Sequence, residues 1–586
     1  MIFCALDPVL PQILKFGGFE LTPSTYELRR GSRQIKVERL AMELLLLLVS
    51  RRDMVVSRDE IAGRLWGKDV YVDIENGVNT AVRKVRKALA DNPERPRFIQ
   101  RIPGKGYRFI AAVAEEEGRK TPAPRRTRLA VLPFANYAGN PSEDYFCDGM
   151  TEETIAALGA AAPEHLGVIA RTSAMAYRNT TKSIADIGRE LAVEYVLESS
   201  VRREADRIRV TTQLIRADDQ THVWAANYDR ESSGILALQT ELGRAIAEKV
   251  MAKVPDGIAI RKQTSNPDAF DFYLKGRFYF AQRNRSSVLR AIEFYNHALA
   301  LDSNYALANA GIADAYATLP VHSDYPTAEC RAIGLPAAQR AVAQDTNSAE
   351  AYTALAACHF WLTWDWNAAI DASRKAIDLN PSYSLSHFYL AHTLSNLCRH
   401  DEAETEMKIV HELDPYSVHY YAIHGQMLYQ SGRGEDAAVM ARRAIALDPV
   451  SWLGHLILGK TQIESGDLQA ALMELQQAFE LSGGNSETLA LKAVALARMG
   501  RLDRAKETLE LLNQVARTRH LPPYNLALVY VGLGDEDSAF RCLQQAAEQE
   551  DVRMRFVPLD PRWRELNRDE RVRKLWPPPQ QHFPHR

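Results

Sequence analysis

The chain has 586 residues, of which 46% are hydrophobic and 25% charged, and its formal net charge is −2. This length predicts several domains, and the composition is ordinary for globular protein, which argues against a chain built mainly of membrane spans or disorder. The small net charge hides a segregation, because residues 1–112 hold 20 Lys and Arg against 13 Asp and Glu. A basic N-terminal region in an otherwise acidic chain favours binding of nucleic acid there.

The cysteines and the apolar runs argue against a metal site and a membrane span. Six cysteines are scattered without CxxC or another metal-ligand spacing, at Cys4, Cys147, Cys330, Cys358, Cys398 and Cys542, and we interpret them as reduced thiols. The longest apolar run, near Leu44 to Val49, is far below the roughly 18 residues of a membrane span. We expect a cytoplasmic protein that needs no membrane, no metal and no cofactor.

The first elements form a small sheet followed by two helices. Segments 16–21, 26–30 and 34–37 read as short strands separated by turn residues. Residues 38–54 form an apolar helix in this interpretation, and a second helix starts at Ser57. The Ser57 hydroxyl caps it in a predicted capping box with Glu60.

A third helix, predicted over residues 76–90, has two different faces. Val78, Val82, Val85 and Leu89 recur at helical spacing and form an apolar stripe. The other face carries four cations with amides and a hydroxyl, which could hold phosphates and probe base edges in a major groove. Strands 98–102 and 107–111 then flank a turn at 103–106 and make a hairpin with a cationic tip.

A basic helix face alone is more often a solvated surface than a binding site. Here, however, the order of helix, helix, basic helix and hairpin is that of a winged helix-turn-helix. The pieces LAMELLLLLV, SRDEIAGRLWG, VRKVRKAL and GKGYRF resemble the C-terminal effector domain of OmpR/PhoB-type transcriptional regulators, of the CadC- and HilA-like kind. The resemblance covers roughly residues 16–113.

That resemblance implies a third helix in the major groove and a wing in the adjacent minor groove. The helix would contact DNA through Thr80, Arg83, Lys84, Arg86 and Lys87, and the wing through Lys105 and Arg108. Lys105 stands between two glycines where the family has a small hydroxyl residue. Together with the amides of the same helix, the predicted DNA-binding residues are Asn76, Asn79, Thr80, Arg83, Lys84, Arg86, Lys87, Lys105 and Arg108.

A charged, proline-containing linker at 114–127 leads to a predicted α/β domain at 128–255. Strand 129–134, a helix from Thr151 to about Ala161, strand 167–171, helix 183–191 and strand 195–201 alternate along the chain. Two further strands, 208–215 and 222–228, precede a helix at 234–250, which indicates a compact α/β fold. The pieces AVLPFANYAGNPSEDYFCDGMTEE and HVWAANYDRE resemble the domain related to the TolB N-terminal domain, which implies a sensory or coupling role.

An acidic cluster in this domain is the strongest candidate for an enzymatic site. Asp144, Asp148, Glu152 and Glu153 lie close together in sequence, and carboxylate clusters can bind metal or transfer protons. Solvated acids at a helix N-terminus are several times more frequent. Because GxxxxGK[ST], HExxH and GxSxG are all absent from the sequence, we predict that the chain is not an enzyme.

From about residue 267 to 550 the sequence is periodic. Alanines recur every 34 residues, and a small residue precedes each by twelve positions; the alanines are Ala369, Ala403, Ala437, Ala471, Ala505 and Ala539. This is the tetratricopeptide period, so we predict about eight helical repeats. The remaining residues, 551–586, are expected to form a capping tail and a disordered end.

The concave face of such an array commonly binds a peptide or protein. Trp361, Trp364 and Trp366 are candidate anchors, although helix packing explains tryptophans there about three times more often. The histidines of the array fall on different helices, so they are interpreted as ordinary interior or surface residues rather than metal ligands.

Together these observations predict a multidomain protein with a winged helix-turn-helix (α+β) domain at 15–113 behind a 1–14 tail, a central α/β domain and an all-α TPR superhelix. The expected function is sequence-specific transcriptional regulation, in which the central and TPR domains bind a partner. Double-stranded DNA is the expected partner, with RNA polymerase, a peptide or protein in the TPR groove, and a second copy of the chain on DNA as further candidates. The alternatives are a TPR adaptor whose winged helix binds protein, and an enzyme-associated signalling protein that acts through the central domain.

Overall fold

The structure is a computed structural model that describes residues 12–22, 27–31, 33–52, 54–66, 74–117, 126–137, 139–161, 163–204, 207–231, 235–250 and 263–575. The chain divides into two compact units, residues 1–125 and 126–586, and each is described by itself. The predicted end segment after residue 576 and most of the 114–127 linker lie outside the described residues. Within the described ranges, no helix has the length and apolar character that crossing a bilayer requires.

The first unit contains three helices among seven short strands in its described part. In chain order they are β1 Gln12–Phe16, β2 Phe19–Thr22, β3 Glu27–Arg30, β4 Arg33–Ile35, α1 Arg39–Ser50, α2 Arg58–Trp66, α3 Ile74–Leu89, β5 Ile99–Ile102, β6 Gly106–Phe109 and β7 Ala114–Glu117. The N-terminal sheet has the antiparallel order β4-β3-β2-β1-β7, and β5 pairs with β6 as a hairpin. This is the predicted winged helix-turn-helix.

The sheet differs from the prediction at both of its ends. The predicted strand 16–21 is two strands, β1 and β2, joined by a turn at Gly17 and Gly18. The acidic stretch 114–117, predicted to be linker, forms β7 against β1, with Ile13 opposite Glu116. Charged residues have a weak strand preference of their own, so this strand depends on the edge that β1 offers. The folded domain therefore begins before residue 15 and continues past residue 113.

One apolar core holds the sheet, the three helices and the hairpin together. Phe16 lies at the centre of an aromatic cluster, with ring centroids 5.9 Å from Phe19, 5.8 Å from Phe98 and 5.1 Å from Phe109. The apolar residues of α1 and the stripe of α3 are buried against the same cluster. The hairpin is thus fixed to the helices by packing, which makes it a rigid wing.

The second unit begins with the predicted α/β domain. Its elements are β8 Thr127–Val131, β9 Ala135–Asn136, α4 Asp144–Ala161, β10 Leu166–Val168, α5 Arg171–Met175, α6 Ile184–Leu191, β11 Tyr195–Glu204, β12 Arg207–Arg216, β13 His222–Glu231 and α7 Ile235–Val250. The sheet order is β10-β8-β11-β12-β13, with β9 paired to β11. Parallel pairs lie on the β8 side and antiparallel pairs on the β12 side, as the alternation of elements predicted.

The predicted start of α4 is wrong. The helix begins at Asp144, seven residues before the expected cap at Thr151. Thr151 is buried inside the helix, where its hydroxyl donates to the carbonyl oxygen of Cys147 and accepts from the backbone N–H of Phe134. Burial of Phe146 and Met150 extends the helix toward its N-terminus, because apolar packing outweighs the local capping preference of a threonine.

Sixteen helices in eight consecutive pairs follow between residues 263 and 575, where every residue is described. They are α8 Pro267–Phe280, α9 Arg285–Leu301, α10 Ala306–Ser323, α11 Thr327–Gln344, α12 Ala349–Cys358, α13 Trp366–Leu379, α14 Ser384–Asn396, α15 His400–Leu413, α16 Val418–Gln430, α17 Gly434–Leu447, α18 Trp452–Ser465, α19 Leu468–Leu481, α20 Ser486–Arg498, α21 Leu502–Ala516, α22 Pro523–Leu533 and α23 Glu536–Glu548. A short helix, α24 Glu570–Arg573, comes after them.

The small residues of the repeat let the two helices of each pair approach closely. A Cβ atom added to Gly459 would lie 2.8 Å from the Leu475 side chain and 3.5 Å from the Ala471 carbonyl oxygen. Ala471 and its counterparts along the array are buried. The period of 34 residues therefore reflects helix contact, as predicted.

The C-terminal tail does more than cap the last repeat. Trp563 packs on Tyr524 of α22, with its indole N–H 3.1 Å from the phenol oxygen. Upstream, Arg553 forms a buried ion pair with Asp324, which follows α10, at 3.0 Å. The tail therefore joins the last repeat to the second.

Arg555 is the centre of this tail contact. Its guanidinium donates to the carbonyl oxygens of Phe360 and Trp361 and lies 4.6 Å from the Trp361 ring centroid and 5.8 Å from that of Trp364. Burial lowers the pKa of Arg555 well below its ordinary value. The tryptophans considered as anchors for a partner thus surround a cation of the same chain.

The Arg555→Ala substitution should lower the stability of the second unit by about 2–4 kcal/mol, since two buried carbonyl groups lose their donor and a cavity forms between the aromatic rings. Thermal unfolding followed by circular dichroism measures this loss. Arg564→Ala, which removes an exposed arginine of the same tail, is the control and should change stability by less than about 0.5 kcal/mol. Equal effects of the two substitutions would contradict the assignment.

Candidate nucleic-acid interface

Helix α3 has the two faces that its sequence predicts. Val78, Val82, Val85 and Leu89 are buried in the core of the first unit. The exposed residues of the opposite face are Asn76, Asn79, Thr80, Arg83, Lys84 and Lys87. Three cations, two amides and a hydroxyl are therefore brought together on one solvent-facing surface, where they could contact phosphates and base edges.

The wing is fixed beside this helix by a backbone bridge. Val56, just before α2, exchanges backbone hydrogen bonds with Tyr107 of β6, at 2.8 Å and 3.0 Å. Gly106 makes this approach possible: it has φ +144°, and a Cβ atom there would lie 2.0 Å from the Val56 carbonyl oxygen. The Tyr107 hydroxyl then donates to the Asn79 side-chain oxygen at 3.0 Å, which connects the wing to α3.

Asp91 holds the end of α3 to the start of the hairpin. Its buried carboxylate accepts hydrogen bonds from the backbone N–H groups of Arg97, Phe98 and Ile99, at 2.7, 3.2 and 2.9 Å. Ala90, with φ +51°, ends the helix in the left-handed conformation that turns the chain toward these groups. Asp91 is thus a second contact, beside the Val56–Tyr107 bridge, that holds the hairpin close to α3.

Arg86 occupies a different environment from the other predicted contacts. Its guanidinium donates to the Ile99 carbonyl oxygen at 2.9 Å and lies 4.0 Å from Asp91, and only 15% of the side chain is exposed. The sequence placed Arg86 with the DNA contacts because it lies at the flank of the cationic face. In the structure it joins α3 to β5. This role could not be predicted from the sequence, because it depends on where β5 lies.

Two wing residues and one strand residue complete the surface. Lys105 at the turn is exposed, and Arg108 is half-buried with its Nε atom free of hydrogen bonds to any described residue. Arg101 of β5 is exposed and lines a concave surface together with Arg83, Lys87 and Tyr107. Arg101 was not among the residues predicted from the sequence, although in a strand it points to the face opposite that of its apolar neighbour Ile102.

Lys84 has a protein partner on the exposed face. Its ammonium group forms an ion pair with Glu38, the residue before α1, and both side chains are largely exposed. Exposed pairs of this kind contribute little to stability. Lys84 can therefore exchange this carboxylate for a phosphate at small cost.

The acidic cluster of the central domain lies inside the second unit, where Asp148 and Glu152 pair with arginines while Asp144 and Glu153 accept hydrogen bonds from the side-chain amides of Asn136 and Gln263. Asp148 contacts Arg171 and Arg178, and Glu152 contacts Arg277 of the first TPR repeat. Burial opposes ionisation of Glu152, yet Arg277 and Arg171 lower its pKa. These carboxylates serve as structural ion-pair partners, and within the described residues no group of three His, Cys, Asp or Glu is arranged to hold a metal ion.

Three family matches divide the chain as the fold does. Residues 32–109 match the C-terminal domain of transcriptional regulatory proteins, residues 125–245 match the second domain of HilA/YgeH-like transcriptional regulators, and residues 462–521 match the tetratricopeptide repeat. The resemblances drawn from the sequence to the OmpR/PhoB type, to HilA-like regulators and to TPR arrays are confirmed.

Individual relatives match parts of the chain. The putative adenylate cyclase 3 of Rhizobium meliloti is 35% identical over 245 residues, which is 41% of this chain and 41% of the relative. The DNA-binding dual master transcriptional regulator RpaA of Synechocystis is 35% identical over 111 residues, 19% of this chain and 45% of the relative. The chain thus covers less than half of either relative.

Among solved structures, the RstA DNA-binding domain of Klebsiella pneumoniae in complex with RstA box is similar to 17% of this chain. The similarity covers 96% of that domain at 25% identity, with a TM-score of 0.16.

The Gly106→Ala substitution should destabilise the first unit by about 1–3 kcal/mol, because the added methyl group overlaps the Val56 backbone and forces β6 away from α2. Gly104→Ala is a matched control: it also has positive φ, at +70°, but nothing lies within 4 Å of the added Cβ atom. Chemical denaturation monitored by fluorescence should show the larger loss for Gly106→Ala. A larger loss for Gly104→Ala would show that backbone strain, rather than the close approach, dominates.

Proposed function

We propose that this chain, which carries an OmpR/PhoB-type DNA-binding domain, a HilA/YgeH-like second domain and tetratricopeptide repeats, is a sequence-specific regulator of transcription. The observation that carries the proposal is the exposed polar and cationic face of α3 beside a wing with exposed cations. Such a helix fits the major groove, where its side chains meet base edges, while a wing contacts the neighbouring backbone or minor groove.

The residues divide by role in this proposal. Asn76, Thr80, Arg83, Lys84 and Lys87 contact DNA from α3, and Lys105, Arg108 and Arg101 contact it from the hairpin. Asn79, which accepts a hydrogen bond from Tyr107, also faces the DNA groove in this proposal. Arg86 positions α3 against the hairpin, so its loss would weaken DNA binding through the shape of the domain.

The second unit supplies regulation in this proposal, by binding a partner or ligand that changes how the full chain engages DNA. A second copy of the chain on adjacent half-sites and RNA polymerase are the further partners proposed, with the protein acting in the cytoplasm. The proposal that the second unit regulates DNA binding is supported by one buried apolar cluster that the central domain and the TPR array share. Ligand binding in one of them can therefore affect the other through packed side chains.

An adaptor function remains the alternative from another class, with the winged helix binding a protein. A catalytic role has weaker support. One relative is named as a putative adenylate cyclase, but two of the four acidic residues considered for catalysis, Asp148 and Glu152, are engaged by arginines. We propose that the chain itself is not an enzyme.

The first test is genome-wide DNA occupancy of the full-length protein beside a variant with Arg83→Ala and Lys87→Ala. Both residues are exposed on α3, so the substitutions remove contacts without disturbing the core. Sharp peaks that share a repeated half-site and disappear in the variant are expected. Lys36→Ala, an exposed cation beyond β4, is the control and should keep the peaks. Retention of the peaks by the double variant would overturn the assigned interface.

A salt titration on a recovered site distinguishes groove binding from the adaptor function. Neutralising Z phosphates gives a slope of log affinity against log salt near −0.9Z, so a protein with about 4–6 phosphate contacts should weaken steeply. Each phosphate-contacting cation that is removed should reduce the slope by about one. Fluorescence anisotropy measures both quantities, and affinity that does not depend on salt would favour the adaptor.

A further inference from the structure

A cavity of about 540 Å³ lies inside the second unit, between the central domain and the TPR array. Its walls come from α4 and the segment after β10 on one side and from the first helices of several repeats on the other. This volume lies in the range of sites for small molecules, which are typically apolar with a few convergent polar groups. Nothing in the predicted DNA-binding function uses this cavity.

Most charged groups of the cavity wall already have partners. Arg277 and Arg171 contact Glu152, and Asp414 accepts a hydrogen bond from the Ser173 hydroxyl. Glu153 accepts from the Gln263 amide at 3.0 Å, and burial raises its pKa to about 8. These groups are therefore satisfied by the protein itself.

Arg283 and Asp314 are the exceptions. The Asp314 side chain is only 7% exposed, and its Oδ1 atom has no hydrogen-bond partner in the described structure. Arg283 forms no hydrogen bond or ion pair through its side chain with any described residue, and its guanidinium lies 5.8 Å from the Phe280 ring centroid. Both residues line the cavity and the smaller one next to it. A buried acceptor without a donor costs about 1–3 kcal/mol, so Asp314 indicates a missing ligand, and the half-buried Arg283 is free to contact the same ligand.

Arg283 lies in the turn between α8 and α9 with φ +51°, the left-handed conformation that the corresponding turns of later repeats also adopt at Trp364, Cys398 and Gly432. This conformation ends the helix and places Arg283 in the wall of the cavity.

The two charges together define the chemistry of the ligand. Burial raises the pKa of Asp314 to about 7, against the opposing effect of Arg277 and Arg283. An amine alone would satisfy Asp314 but would add a cation near Arg283. A carboxylate alone would satisfy Arg283 and leave the Asp314 oxygen without a donor. We propose that the cavity binds a zwitterion, a free α-amino acid whose carboxylate meets Arg283 and whose ammonium group meets Asp314.

The remaining wall suits a large apolar side chain. Phe280, Trp452 and Leu453 line the main cavity, and Phe388 and Trp361 line the adjoining one. His322 and His419 lie between them, and burial lowers the pKa of both imidazoles, that of His322 to about 3. They are neutral at physiological pH, so each offers one donor and one acceptor without competing with Arg283 for the carboxylate. The ligand is therefore an aromatic or branched aliphatic amino acid.

Binding of such an amino acid is independent of DNA binding, although its role as an effector of transcription rests on the proposed function. The site lies where the central domain meets the repeats, so the ligand would contact both at once. Measuring amino-acid binding without DNA tests the two proposals separately. The proposed amino-acid site can be wrong while the proposed DNA interface is correct, and the DNA interface can be wrong while the amino-acid site is correct.

The test is isothermal titration calorimetry of the full-length protein with L-phenylalanine, L-leucine and L-tryptophan, beside phenethylamine and 3-phenylpropanoate. At least one amino acid should bind, and the two compounds that lack one charge should bind at least tenfold more weakly than L-phenylalanine if that is the ligand. Absence of binding by all three amino acids at millimolar concentration would overturn the proposal. Equal binding of phenethylamine or 3-phenylpropanoate would overturn the zwitterion assignment.

Variants then locate the site. Arg283→Gln and Asp314→Asn should each weaken binding of the amino acid at least tenfold, whereas Arg290→Gln, an exposed arginine of α9 that does not line the cavity, should leave it unchanged. Circular dichroism checks that each variant is folded. Because the two substitutions act on separate elements, a folding defect in one leaves the other as a test. Unchanged affinity in a folded variant of either residue would contradict the assignment.

Discussion

The candidate DNA-binding surface depends on one buried carboxylate. Asp91 accepts three backbone hydrogen bonds from the strand that starts the hairpin and lies at the end of the helix that carries the cationic face. Since a buried carboxylate without donors is very unfavourable, these bonds restrict how far helix and wing can separate. Arg86, held between Asp91 and Ile99, adds to the same constraint. A surface that binds in a DNA groove needs such rigidity, because the contacts of the helix and the wing must form at the same time.

Buried charged groups are also paired in the second unit. Glu152 and Arg277 connect α4 to the first repeat, and Arg553 and Asp324 connect the tail to the second. Removing one partner of a buried pair is strongly destabilising, so these contacts hold the central domain, the array and the tail in one body. Asp314, whose Oδ1 atom has no partner among the described residues, departs from this pairing, and with Arg283 it forms the site that we propose for a ligand.

The tail changes what the TPR array can offer to a partner. Arg555 sits among the aromatic rings of the third repeat and donates to two carbonyl oxygens there. A peptide that used these aromatic rings as anchors would have to displace it. The prediction of a partner in the groove therefore applies to the surface that the tail leaves uncovered.

Much of this architecture could be predicted because its signals are local and periodic. The valines of α3 and the Ser57 hydroxyl, which accepts from the Glu60 N–H at 3.1 Å, act within one helix. The alanines spaced 34 residues apart recur with each helix pair, so their pattern can also be read along the sequence. These signals sufficed for the winged helix, the alternation of strands and helices in the central domain and the eight repeats. The resemblance to known regulators added the expected DNA-facing positions.

Contacts between distant residues were decided by the tertiary structure alone. Only the folded sheet creates the edge to which the acidic strand β7 pairs, and only packing of Phe146 and Met150 extends α4 past Thr151. In the sequence, Arg86 and Arg555 cannot be distinguished from exposed arginines. Their hydrogen-bond partners lie 13 and about 195 residues away along the chain. Sequence by itself determined which segments are helices, strands and repeats, because those depend on nearby residues. The partners of buried charges, and with them the ligand cavity, depend on which surfaces meet when the chain folds.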